Sequence, residues 1–382
     1  MLDKNSITQY NAGVNMNTTI SYFDLSRQYK KIGKDILRKI EEVASISAFS
    51  GGAYVSQFEA NFAKFVGANY VVGVNSGTSA LHLSLIAADV KKGDEVIVPA
   101  LTFIATAEVV SYLGATPIFI DSRPDSWQID TAKIEAKITK KTKAIIGVHL
   151  FGQCFDIDSI LRLSKKHQLV FIEDCAQAHG TKYGGKMVGT FGDFGCFSFY
   201  PSKNLGAWGE AGAIVVKKRS IAQRLKKLRD HGQKKKYYHD EVGFNYRMDG
   251  IQAAVLDTKL TYLPTWNKRR KEIATRYFTE IINKRITFQQ HPSWSDSVFH
   301  LFVVLVDNRK KMLFFLEKHN IFPTIHYPVP LHRQQAYSSL HYKKGNFPNT
   351  EYYSEHAVSL PMYPELTDAE VSKIIAVVNS YS

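Results

Sequence analysis

The chain has 382 residues, enough for two cores sharing an interface and too few for a string of modules. Apolar residues make up 45% and charged residues 22%, which excludes wholesale disorder, and no apolar run is long enough to cross a bilayer. The balance of 49 Lys and Arg against 35 Asp and Glu gives +14, so the surface attracts anions: nucleic acid, an acidic membrane face and phosphorylated small molecules all remain open.

The first 17 residues are polar and lack the apolar centre of a signal peptide. They read as part of a loose extension over residues 1–18, with Met16 as an alternative start. Cys154, Cys175 and Cys196 are odd in number and form no CxxC pair, which argues against a disulfide framework and a cysteine-rich zinc site. A reducing cytoplasm suits them.

From Tyr70 onward, short apolar β-branched runs alternate with helical stretches. The expected strands are Tyr70–Val74, Glu95–Val98, Pro117–Ile120, Ala144–Val148, Leu169–Ile172, Phe194–Phe199 and Ala213–Val216. Helical spacing falls over Ser79–Ala88 and Asp156–His167. Strands apolar on both faces and joined by helices predict an α/β fold with a mainly parallel sheet covered on both sides. Ligands in such sheets gather at the carboxyl ends of the strands. Beyond Gly250 the pattern predicts helices over Ile251–Leu263 and Asn267–Asn283, the second entered through Pro264-Thr265-Trp266. A strand Val298–Val306, a helix Arg309–Asn320, a Pro/His/Tyr-rich loop over Pro323–Leu331 and a closing helix from Thr367 follow. The division is a large domain over 19–262 and a smaller α+β domain over 263–382.

Three strand ends carry unusual residues. Asn75-Ser76-Gly77-Thr78-Ser79 precedes a helix, where small residues and free N–H groups suit a phosphate, or simply cap the helix. Glu173-Asp174-Cys175-Ala176-Gln177 puts a carboxylate at the end of a central strand, either as a helix cap or as the partner of a buried cationic ring nitrogen. Ser198-Phe199-Tyr200-Pro201-Ser202-Lys203 is followed by glycines, and a lysine in such apolar surroundings can lose its proton and act as a nucleophile. A phosphate cradle, a carboxylate for a ring nitrogen and a Schiff-base lysine together are what pyridoxal 5′-phosphate requires.

At these residues the chain resembles the DegT/DnrJ/EryC1/StrS family of nucleotide-sugar aminotransferases. The motifs are ISYFDLSRQY, SGTSAL, PALTFIAT, EDCAQAHG, FSFYPSKNLGAWGEAG, GFNYRMDGIQAA and HYPVPLH, from about Thr19 to the C-terminus. The resemblance implies the type I aspartate-aminotransferase fold, a three-layer sandwich around a seven-stranded sheet. It implies that Lys203 bonds the cofactor and shuttles the proton, that Asp174 pairs with the pyridinium nitrogen and that Gln177 contacts the ring hydroxyl. Phe103 would stack on the ring, where the family often has Trp. Gly77, Thr78 and Ser198 would hold the phosphate, and Asn245 would reach the cofactor phosphate of a second subunit, making a homodimer with shared active sites. Family members that are sugar dehydratases carry His in place of the lysine, so Lys203 implies amino transfer. The resemblance further implies glutamate as amino donor and a keto group on a UDP- or dTDP-linked sugar as acceptor, with a weak inclination to a 3-keto sugar.

Several features stay open. Between Lys217 and Lys236 ten basic residues face one acid. They read first as a solvated helix face, second as cations meeting a sugar nucleotide's diphosphate and last as a nucleic-acid patch, so neither nucleic acid nor a membrane is expected as a partner. Arg247 reads as a diphosphate, interface or salt-bridge residue, and His326 and Tyr327 as substrate-side or structural. His82, His149 and His179 lack metal-ligand spacing and read as satisfied core histidines. Cys175 reads as a small core residue, and the Gly-rich Tyr183–Gly192 stretch as a turn. A non-catalytic cofactor- or polyanion-binding regulator on the same fold is the alternative function.

Overall fold

The computed structural model describes residues 19–382. The expected extension over 1–18 and the alternative start at Met16 lie outside the described residues.

Seven strands form close to their expected bounds: β1 Tyr70–Val74, β2 Glu95–Pro99, β3 Thr116–Ile120, β4 Thr142–Val148, β5 Val170–Asp174, β6 Phe194–Ser198 and β7 Gly212–Val216. They make one sheet in the order β1-β7-β6-β5-β4-β2-β3. β7 runs antiparallel to both its neighbours, and the other pairings are parallel. The pleat sends alternate side chains to opposite faces, so each apolar strand feeds two cores. Val71, Ile97, Ile145 and Phe171 pack on one face against helices α2 (Gly52–Val66), α5 (Ile157–His167) and α7 (Gly250–Leu260). Val72, Val96, Ile146 and Ile172 pack on the other against α3 (Gly77–Ala87), α4 (Ala105–Tyr112) and α6 (Arg219–Leu228). This is the three-layer α/β arrangement.

The chain enters through α1 (Leu25–Ser45), capped by Asp24, whose carboxylate accepts from Ser26 N–H at 2.9 Å. The apolar face of α1 places Ile32 and Ile36 against Val255 of α7 and Trp266. The sequence reading named neither α1 nor α2 as an element.

A third core joins Ile273, Tyr277, Phe302, Val304, Val358, Leu360, Ile374 and Val378. It unites α8 (Leu263–Glu280), α9 (Arg309–Lys318), α11 (Asp368–Ser380) and an antiparallel sheet of β8 (Thr287–Phe288), β9 (Phe302–Leu305) and β10 (Ala357–Leu360). Thr367 and Glu370 form a capping box that starts α11. Two expectations are corrected here. α8 begins ahead of Pro264, which sits in its first turn, where a missing N–H leaves no bond unmade. The expected strand Val298–Val306 shrinks to β9, because Phe299 takes φ 46°, a left-handed conformation that ends extended backbone. α10 (Pro348–His356) leads into β10, and Phe347 before it packs with Tyr337 on Phe119 of β3. Among the described residues no helix is long and apolar enough to cross a membrane.

Candidate active site

A cavity of about 490 Å³ opens at the carboxyl ends of β1, β2, β4, β5 and β6, where a parallel sheet presents its ligand site. Gly77, Thr78, Phe103, Asp174, Gln177, Ser198, Lys203, His326 and Tyr327 all line it. A larger groove of about 740 Å³ lies between α1, α8 and the turn before α11, and none of the candidate residues reaches it.

The loop after β6 carries Lys203. Its backbone N–H bonds Tyr200 O at 2.8 Å, and Ala207 N–H returns to Phe199 O at 2.8 Å. A Cβ on Gly206 would lie 2.2 Å from Pro201 O, so only glycine closes this loop. The buried ammonium of Lys259 donates to Gly206 O and pins the loop from below. Burial pushes the Lys203 pKa down to about 8, against the opposing pull of Asp174. A lysine poised there exchanges a proton near neutral pH.

The pleat of β5 separates the two acids that end it. Asp174 faces the cavity, where its Oδ2 accepts from Thr106 Oγ1 at 2.9 Å and its Oδ1 from Ala176 N–H at 3.1 Å. Burial raises its pKa, while those two donors and the Lys203 and His149 charges oppose the rise. Glu173 turns to the other face and accepts from His149 Nε2 at 3.0 Å and from the N–H groups of Gly189, Phe191 and Gly192 at 2.8 Å each. His149, Glu173 and Cys175 offer ligand atoms within 4.8 Å of one another, but these bonds already occupy the Glu173 oxygens, and burial drives the Cys175 thiol pKa well up.

The phosphate cradle is tight. Ser76 caps α3, its Oγ accepting from Ser79 N–H at 3.0 Å, which leaves the first N–H groups of the helix free. A Cβ on Gly77 would sit 2.6 Å from Ser198 Cβ, so the backbone approaches the Ser198 hydroxyl as closely as it can. Phe103 stands at the mouth, 56% exposed, its ring 6.1 Å from that of Tyr327. Gln177 Oε1 accepts from Phe151 N–H at 2.6 Å, and its Nε2 donates to Tyr327 Oη at 2.9 Å, keeping one N–H to give. His326 Nδ1 bonds Ser359 Oγ at 2.9 Å. An anion-holding turn, a buried carboxylate that forms no ion pair among the described residues and a lysine of depressed pKa fit pyridoxal phosphate.

Asn245 and Arg247 do not line this cavity. They bridge to Asp230 and to Val74 beside the edge strand β1, where Asn245 is exposed and Arg247 is ion-paired with Asp230. In the basic run, Arg224, Lys226, Lys227 and Arg229 find acidic partners, among them Glu59, which accepts from Arg229 at 2.6 Å. The last three basic residues, Lys234, Lys235 and Lys236, lie in a hairpin, Gln233–Lys235 with Tyr238–His239, on which Tyr237 at the tip and Tyr238 beside it are exposed. His82 Nδ1 lies 3.3 Å from Tyr246 Oη. His179 corrects the expectation of a satisfied core residue. Among the described residues neither of its ring nitrogens has a hydrogen-bond partner, its ring contacts those of Phe197 and Phe199, and burial pushes its pKa down to about 3. Tyr22, Thr106 and His300 join the cavity without having been singled out. Thr106 lies in the motif PALTFIAT, and His300 is the lone polar residue in a long apolar run, which is signal enough for both.

A family model described as the DegT/DnrJ/EryC1/StrS aminotransferase family matches residues 30–379. A dTDP-3-amino-3,6-dideoxy-alpha-D-galactopyranose transaminase of Aneurinibacillus thermoaerophilus is 43% identical over 362 residues, 95% of this chain and 99% of that protein. A UDP-N-acetyl-3-dehydro-alpha-D-glucosamine 3-aminotransferase of Acidithiobacillus ferrooxidans is 40% identical over 95% of this chain and 98% of its own. A pleiotropic regulatory protein of Geobacillus stearothermophilus is 40% identical over 93% and 96%. The crystal structure of DesV of S. venezuelae in complex with a ketimine intermediate superposes with a TM-score of 0.93 at 36% identity, covering 95% of this chain and 98% of that one. On the fold, the cavity and these matches, the chain belongs to the DegT/DnrJ/EryC1/StrS aminotransferase family.

Proposed function

We propose that this aminotransferase moves an amino group from an amino acid, with L-glutamate the expected donor, to the keto group of a UDP- or dTDP-linked sugar, for amino-sugar and polysaccharide synthesis. The observation that carries the reading is Lys203 and Asp174 converging in one cavity at the strand ends. The sugar comes from the two transaminase relatives, whose names both place the nitrogen chemistry at C3, which favours a 3-keto sugar.

When bound, pyridoxal phosphate supplies an aldehyde that captures the amine and a ring that draws electrons from the substrate carbon. Asp174 holds a proton on the ring nitrogen, because its carboxylate in low dielectric is stabilised by that charge. The N–H groups of Gly77 and Thr78 and the Ser198 hydroxyl hold the phosphate, Phe103 covers the ring face, and Gln177 Nε2 meets the ring hydroxyl. Lys203 Nζ, with a pKa brought to about 8, takes the proton from the substrate carbon and returns it. His326 and Tyr327, and Arg247 across an interface, bound the substrate side.

The active unit is a homodimer. Among the described residues Lys203 is the only Lys or Arg lining the cavity, whereas cofactor phosphate and sugar diphosphate bring several negative charges. Asn245, exposed and outside this cavity, would serve the site of a second copy. Residues 19–262 form the large unit and 263–382 the small one, and buried free cysteines suit a reducing cytoplasm. The regulator reading has two relatives' names in support, a pleiotropic regulatory protein and a sensory transduction protein, but it gives no reason for a lysine of depressed pKa beside a buried carboxylate.

Glutamate-dependent transamination of a panel of 3-keto and 4-keto nucleotide sugars tests the proposal. Lys203→Ala should abolish turnover together with the visible absorbance of bound cofactor. Near wild-type turnover in that variant would refute the lysine assignment.

A further inference from the structure

His300 is far in sequence from the strand-end motifs, yet it lines the cavity with Lys203 and is only 6% exposed. A chain of amides fixes which of its ring nitrogens carries the proton. Asn267 Nδ2 donates to the His179 carbonyl at 2.7 Å, which leaves its Oδ1 as the accepting atom. Asn204 Nδ2 donates to that Oδ1 at 3.0 Å and to the Val298 carbonyl at 3.2 Å. Asn204 Oδ1 is therefore an acceptor, and in its 3.1 Å bond with His300 Nδ1 the imidazole is the donor.

Burial, followed by the nearby charges of Lys203 and Arg270, keeps the ring neutral, so Nδ1 carries its single proton. Nε2 is then an obligate acceptor, and among the described residues no hydrogen bond reaches it. Of the other acceptor-only groups on the wall, Asp174 serves the ring nitrogen and Glu210 is exposed. An amino-acid donor brings carboxylates, which this lone pair repels, and its amine is engaged in the reaction. A sugar brings several hydroxyl donors.

We propose that His300 Nε2 accepts a hydrogen bond from a sugar hydroxyl next to the reacting keto carbon, which makes His300 a specificity residue for the sugar half of the reaction. The proposal rests on the sugar-aminotransferase reading and adds the atom that recognises the sugar. A site built around such a bond discriminates against an analogue that lacks the hydroxyl, because the buried acceptor is left unpaired.

Two variants separate this role from a structural one. Gln at position 300 sets its terminal amide near the Nε2 position, whereas Asn reproduces only the Nδ1 position that holds Asn204. In the cofactor-loaded enzyme, the glutamate half-reaction and the sugar half-reaction are measured separately. Calorimetry measures binding of UDP- and dTDP-linked 3-amino sugars. His300→Asn should weaken sugar binding and lower kcat/KM for the sugar half about tenfold relative to the glutamate half, with His300→Gln recovering most of the loss. Equal losses in both halves, unchanged sugar binding, or His300→Asn outperforming His300→Gln would overturn the proposal. A wild-type protein that completes the glutamate half but binds neither sugar probe would instead overturn the sugar reading, and His300's role with it.

Discussion

Asp174→Asn keeps the shape of the side chain and removes its charge. The amide oxygen can still accept from Ala176 N–H, as Oδ1 does now at 3.1 Å. The Thr106 hydroxyl, which now donates to Oδ2, can turn its proton to Thr102 Oγ1 at 3.1 Å and accept from the new NH₂. The fold should therefore stand, and what is lost is the charge that holds a proton on the ring nitrogen. Removing one preorganised electrostatic partner costs about 10²–10³ in turnover, or roughly 3–4 kcal/mol. Asp174 is also the charge that opposes the fall of the Lys203 pKa, so the variant should carry that pKa below about 8. Single-turnover kinetics with glutamate give the first quantity. The pH midpoint for reductive methylation of Lys203 in cofactor-free protein, read by mass spectrometry, gives the second. The native Asp174 pKa is raised above the ordinary 3.8, so the folded state keeps its proton longer, and stability falls as pH rises through the native value. Cofactor-free Asp174→Asn should accordingly melt higher than wild type at pH 7 and show no gain at pH 3. Turnover within about threefold of wild type, with an unmoved Lys203 midpoint, would refute the pairing of Asp174 with the ring nitrogen.

Gly77→Ala places a methyl 2.6 Å from Ser198 Cβ and 3.1 Å from Ser198 Cα, well inside ordinary carbon contact. It should destabilise the protein by about 1–3 kcal/mol in a melting curve and weaken cofactor retention on dialysis; unchanged retention would mean that the cradle does not hold the phosphate. Lys203→Met should raise the melting temperature of cofactor-free protein. The folded amine has a pKa near 8 against an ordinary 10.5, so its penalty, up to ~3 kcal/mol, is full below pH 8 and fades as pH rises to 10.5. A gain that persists at pH 11 would show that packing, rather than charge burial, is responsible. Mixing Lys203→Ala with Asn245→Lys should restore activity to about a quarter of wild type, since half the dimers are mixed and each has one intact site. No recovery on mixing would count against shared active sites.

Much of the site was legible because strand ends in a parallel sheet point one way, so residues just after β1, β5 and β6 had to meet. The N-terminal helices were less visible. α1 buries its apolar face on α7, a contact remote in sequence, and polar residues cover the remainder of its length. β9 came out shorter than its apolar run because Phe299 reverses the backbone, and an apolar pattern carries no sign of a left-handed residue. His179 was misjudged for a related reason, since its residue type calls for partners that its aromatic neighbours do not supply.

The sequence by itself determined the seven buried strands, the glycine-closed loop around Lys203 and the capped turn at Gly77, because these depend on local periodicity, backbone freedom and chain order. The family motif pointed to Asp174, but the physical reason that Asp174 and not Glu173 faces the cavity lies in the tertiary structure, since adjacent residues on a strand differ in the face the pleat gives them. The tertiary structure also decided that His300 stands near Lys203 with no hydrogen bond to its Nε2 among the described residues. That juxtaposition comes from packing the 298–306 segment and α8 against the Lys203 loop, and no local pattern encodes a contact between segments so far apart in the chain.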